Sequence, residues 1–124
     1  MGSGPSSDWA KSPPELVERF NATMETLPGI TRRQMFGYPA AFTGQGHMFT
    51  GLHQDRWVLR LPDDARAELE GKGATVFEPM PGRPMTGFVV LPAPVLDDPD
   101  ALRQWLERSL AFAEALPPKP ARRR

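Results

Sequence analysis

Apolar positions in the first quarter of the chain recur at helical spacing. Leu16, Phe20, Met24 and Leu27 stand four, four and three residues apart, with Glu18, Arg19 and Glu25 off that stripe. Ahead of them, Ser12-Pro13-Pro14-Glu15 reads as a helix start: serine at the N-cap, proline at the first helical position, glutamate completing a capping box. Pro28-Gly29 reads as the stop. From Thr31 the period changes to that of extended chain, and glycine-bearing turns divide the segment into three predicted strands. The first covers about 32–43, bent near Gly37-Tyr38-Pro39 and therefore assigned to a sheet edge. The second covers 48–53 and the third 56–61, joined by a two-residue turn at Gln54-Asp55. The third alternates, with Trp57, Leu59 and Leu61 on one face and Arg56, Val58 and Arg60 on the other.

Beyond Pro62, Asp63 is expected to cap a short helix whose inner side holds Ala65 and Leu69, and Gly71-Lys72-Gly73 ends it. Two further strands are predicted at 74–77 and 86–91. The link between them, 79–85, contains three prolines and a glycine and reads as an ordered turn or clasp. Asp98-Pro99 repeats the cap-then-proline signal, and Leu102, Trp105, Leu106, Ser109, Ala113 and Leu116 form an inward helical face up to Pro117-Pro118. The resulting order is α-β-β-β-α-β-β-α. It specifies an α+β two-layer sandwich with about five mainly antiparallel strands, helices on one face, and the other face exposed or used for contact.

A chain of 124 residues suits one domain, placed at 12–118 between a loosely packed arm, 1–11, and a basic tail, 119–124. Zero formal charge hides a division, because 12–118 carries 14 acidic against 10 basic residues. A mildly acidic body argues against direct nucleic-acid binding, which relies on lysine and arginine neutralising phosphates. Only Arg122, Arg123 and Arg124 offer a local basic contact. Cysteine is absent, which excludes disulfides, thiolate nucleophiles and cysteine zinc sites. No apolar run approaches the ~20 residues a membrane helix needs, so the expected location is cytoplasmic, with no membrane partner.

Chemistry-bearing residues are sparse. His47 and His53, if on one strand, would stand ~20 Å apart by strand rise, too far to share a metal ion. Asp63, Asp64, Asp97, Asp98 and Asp100 gather at helix starts, where capping and the helix dipole account for them. Ser12 and Ser109 have neither a neighbouring histidine nor a glycine elbow. No catalytic residue, metal ligand or cofactor is therefore assigned. The positive candidates are Arg56 and Arg60 on one side of the third strand and Arg83 in the proline-rich link. If strand order brings the link close, three guanidinium groups meet an anionic ligand or an acidic partner surface. Phe36, Gly37 and Tyr38, at the bend in the first strand, are candidates for a pocket mouth.

Four motifs in order carry a resemblance: Met35-Phe36-Gly37, Gly46-His47-Met48-Phe49, Arg56-Trp57-Val58-Leu59-Arg60-Leu61 and Gly82-Arg83-Pro84-Met85. With the tryptophan-bearing last helix they resemble the TfoX N-terminal domain family over 14–116. The family has two glycines after Met-Phe, and here Tyr38 takes the second place. The resemblance implies an α/β sandwich with an antiparallel sheet and brings no catalytic residues. In the competence regulator that gives the family its name, this domain precedes a helical domain and the whole assists transcription of DNA-uptake genes; this chain is expected to be a single-domain member. The expectation is a non-enzymatic interaction domain with a protein partner, acting through its sheet face or edge. The alternative is a small-molecule or anion-binding module built on Arg56, Arg60 and Arg83, and monomer and homodimer remain equally open.

Overall fold

Two adjacent prolines decide where the first helix begins. In a computed structural model, which describes residues 11–35 and 37–117, helix α1 spans Pro14–Met24, one residue later than the capping box predicts. Pro13 takes the N-cap with an extended ψ of 141°, because a residue followed by proline is driven out of helical conformation. Ser12 is left outside the helix, its Oγ buried without a hydrogen-bond partner, so the expected box with Glu15 does not form.

The segment 32–43, read as one bent edge strand, is a hairpin: β1, Ile30–Met35, pairs antiparallel with β2, Tyr38–Thr43. Gly37 in the connection has a φ of 82°, a conformation that costs a residue bearing a Cβ. Strand β3 spans Met48–His53 and β4 Arg56–Arg60, separated by the predicted Gln54-Asp55 turn. Pro39 thus lies in the second strand, not at the edge. Its missing N–H is tolerated because β2 pairs with β3 only from Ala40 onward. Helix α2 (Asp63–Glu70) follows, then β5 (Thr75–Val76), β6 (Phe88–Val90), a one-turn helix α3 (Ala93–Leu96) that no sequence signal announced, and α4 (Pro99–Glu114). The six strands, against about five expected, form one antiparallel sheet in the order β1-β2-β3-β4-β6-β5.

Capping follows prediction at one helix and departs from it at another. The Asp98 carboxylate accepts from the backbone N–H groups of Asp100 and Ala101 at 3.1 and 3.3 Å. At α2 the N-cap is Pro62, and Asp63 sits inside the first turn, where its carboxylate pairs with Arg66. No helix among the described residues is long and apolar enough to cross a membrane.

The main core lies between the sheet and α1, α2 and α4, centred on Phe20, Trp57, Leu59, Leu69 and Leu106, all fully buried. Trp57 packs its ring 5.2 Å from that of Phe20 and donates its indole N–H to Thr50 Oγ1 at 2.9 Å. The Thr50 hydroxyl in turn donates to Val58 O at 2.8 Å. The register between β2 and β3 shifts at Ala41/Phe42, leaving Phe49 without a counterpart in the ladder, and Ser109 on α4 donates its hydroxyl to the Phe49 carbonyl at 3.0 Å.

The opposite sheet face departs from the open surface expected. Ala40, Met48, Val58, Phe77 and Phe88 form a second buried cluster there, with Met35, Phe42, Met85 and Val90 packed against it. The link after β5 folds back over this face, pinned by Met85 N donating to Phe77 O and Phe88 N to Met85 O. The face is covered at its middle and open around the rim.

Candidate interaction surface

Alternation along β4 and its register with β3 place Arg56, Val58 and Arg60 on this second face, with His53 directly opposite Arg56. The β1–β2 register brings Arg33 to the same face beside Ala40. Val58 is buried, while Arg56 and Arg60 on either side of it along β4 are half-buried and Arg33 is exposed. Arg33 holds its guanidinium 4.8 Å from the Phe42 ring centre, and Arg60 stands 5.8 Å from that of Phe88 with Nη1 3.4 Å from Met48 O. Burial lowers the Arg60 guanidinium from its usual value.

His53 lies between two rings, its centroid 4.9 Å from Tyr38 and 5.3 Å from Phe77. Its Nδ1 is buried and has no hydrogen-bond partner among the described residues. Burial first, and the neighbouring Arg56 cation second, push the imidazole below its ordinary value of 6.5, so the ring is neutral at neutral pH. Gly51 permits the close approach of the strands here: a Cβ at that position would stand 2.7 Å from Met48 Cε and 3.1 Å from Pro39 O.

The balanced formal charge separates into two layers. The six strands contain four arginines and no carboxylate, while α1, α2 and α4 contain nine carboxylates against four arginines. Among the described residues the ion pairs are Arg66–Asp63, Arg103–Glu107 and Arg108–Glu68, all outside the strands. Asp55 in the β3–β4 turn and Glu78 in the link are both exposed, and neither is paired with an arginine among the described residues. Among the described residues, then, no ion pair holds any of the strand arginines.

Of the residues singled out from sequence, Arg56 and Arg60 share a face as their spacing implies. Arg83 is exposed at the tip of the link, in a turn closed by its N–H to Met80 O at 2.9 Å, and no hydrogen bond or ion pair among the described residues draws its side chain to the other two. Gly37 lies in the exposed β1–β2 connection, Tyr38 packs against His53 with the two rings tilted at 47°, and Phe36 is outside the described residues. Among the described residues, no three histidine, aspartate or glutamate side chains stand together as a metal site, and His47 bonds through Nε2 to Pro117 O. Sequence reasoning missed Arg33, concealed when β1 and β2 were read as one strand, and His53, whose pairing with Arg56 was legible from the two-residue turn between them.

The family model described as the TfoX N-terminal domain matches residues 22–113, from within α1 to the last turn of α4. No curated protein matches the chain.

Proposed function

The chain belongs to the TfoX N-terminal domain family, and on that footing we propose that it is a non-enzymatic interaction domain that docks an acidic protein surface on the arginine-rimmed face of its sheet. The family is of the regulatory type rather than a known enzyme family. A cytoplasmic, transcription-related role through protein contacts is the reading that membership favours. One observation carries the choice of face: Arg33, Arg56 and Arg60 border the second cluster, and among the described residues no carboxylate is paired to any of them. Unpaired guanidinium groups beside buried apolar surface recognise carboxylates well, because each offers a planar fork of donors and is weakly hydrated.

The test compares capture from native lysate by the full chain and by an Arg56→Gln/Arg60→Gln variant shown to be folded by its melting curve. Binding of the captured protein, once purified, should weaken about tenfold or more in the variant and fall as salt is raised. Equal binding by the folded variant refutes the proposal.

A second reading is a small-anion site on Arg56 and Arg60, which share the second face and have no ion pair among the described residues. It predicts that phosphate or citrate raises the melting temperature by mass action, and that Arg56→Gln abolishes the rise.

A further inference from the structure

The two edges of the sheet are built differently. One edge is β5, with only Thr75 and Val76, too short to template another strand. The other is β1, six residues long, exposed at Thr31, Arg32, Arg33 and Gln34, and free of proline and register shift. The Thr43 N–H donates to His47 O at 2.7 Å, so Thr43 turns its backbone toward β3, and by alternation Ala41 and Pro39 do the same. Phe42, Ala40 and Tyr38 then face β1, where their partners Thr31, Arg33 and Met35 complete the ladder. Ile30, Arg32 and Gln34 are left with their backbone groups pointing away from the sheet.

Arg32 and Arg33 stand at the middle of this edge and project to opposite faces. Arg32 leans toward α1, its Nη1 3.3 Å from Asn21 Oδ1, while Arg33 lies over Phe42. Beside the edge, between α1 and the hairpin, runs a groove of about 420 Å³ lined by Val17, Asn21, Glu25, Arg32, Gln34 and Pro39. We infer that β1 is a strand-addition site that receives an extended acidic segment of the partner protein, whose main chain bonds to Arg32 and Gln34 and whose two adjacent carboxylates meet Arg32 and Arg33 from the two sides of the widened sheet. The inference rests on the reading of an acidic protein partner and adds a second contact, at the sheet edge beside that face, and the conformation of the segment that makes it.

Charge selects this occupant over a second copy of the chain. The symmetric antiparallel registers centred on the strand set either Arg32 opposite the Arg32 of the other copy or Arg33 opposite its Arg33, like charge against like. A segment with two neighbouring glutamates converts the same positions into attraction. Glu25 is the one carboxylate of the groove, and it lies on the helix side rather than on the strand.

The test uses the full chain, a blocked hexapeptide Thr-Val-Glu-Glu-Val-Thr and its counterpart with Lys-Lys at the centre, read by amide hydrogen exchange. The acidic peptide should slow exchange at Arg32 and Gln34 and bind about tenfold or more tightly than the basic one. Arg32→Glu/Arg33→Glu should reverse that preference, and Gln34→Pro, which removes an outward N–H, should abolish binding while leaving the β1–β2 ladder. Arg103→Gln, on α4 and outside both proposed surfaces, should leave the protection unchanged, and because the peptide arms read β1 alone while the lysate capture reads Arg56 and Arg60, failure here is told apart from failure of the face reading. Equal affinity for the two peptides, protection on β4 instead of β1, a dimer that forms without peptide and protects the same amides, or no binding of the acidic peptide overturns the inference.

Discussion

Replacing Thr50 by valine keeps the shape of a fully buried side chain and deletes one hydroxyl that serves two partners. Thr50 Oγ1 accepts from the Trp57 indole at 2.9 Å and donates to Val58 O at 2.8 Å, with both Thr50 and Trp57 inaccessible to solvent. Without the hydroxyl, the indole N–H is stranded in the core and bears its desolvation cost, about 1–3 kcal/mol. The Val58 carbonyl loses a bond worth about 0.5–1.5 kcal/mol net. Valine needs no partner, which returns part of this, so the expected loss is about 2–3 kcal/mol in urea unfolding followed by far-ultraviolet circular dichroism. Thr50→Ser retains the hydroxyl and removes one methyl group, costing about 1 kcal/mol. In a Trp57→Phe background there is no indole to strand, and the cost of Thr50→Val should shrink by about 1–2 kcal/mol. A Thr50→Val protein as stable as Thr50→Ser, or an equal cost in both backgrounds, refutes the assignment. The linkage matters beyond stability because it joins β3 to β4, the hairpin that carries His53, Arg56 and Arg60.

Two further outcomes follow from the second face. Gly51→Ala forces a Cβ against Met48 Cε, which can swing aside, and against the backbone oxygen of Pro39, which moves with the strand; the expected cost is about 1–2 kcal/mol by thermal unfolding, and a stabilised variant contradicts it. His53 has a folded pKa below its unfolded value, so between the two the unfolded chain binds more protons and stability rises with pH. Its contribution is complete above about 6.5 and is lost as pH falls from there toward the lowered folded value. The urea midpoint should therefore drop between pH 6.5 and 5 in the native chain more steeply than in His53→Gln, and parallel slopes would remove His53 as the cause.

Local pattern determined the kinds of element and most of their order. The four-four-three spacing of Leu16, Phe20, Met24 and Leu27 suits a helix and the alternation of Trp57, Leu59 and Leu61 suits a strand, whatever surrounds them. Asp98-Pro99 and Gln54-Asp55 work the same way, since a cap and a two-residue turn are completed within a few residues. Errors arose where neighbours compete over short range: Pro14 displaced Ser12 from the cap, and the hairpin at Gly37 was hidden by apolar residues continuing on both sides of it. The arrangement of the candidate surface belongs to tertiary structure. Val58 has the same place in the alternation whether it meets water or Phe77, and only the return of the link over the sheet decided that it is buried. Arg33 joined Arg56 and Arg60 because strand order carries the first hairpin beside β3, and a free β1 edge exists because β5 and β6 attach at the other side. Periodicity records which side chains share a face; what covers that face, and which charges remain unpaired on it, depends on contacts between residues far apart in the chain.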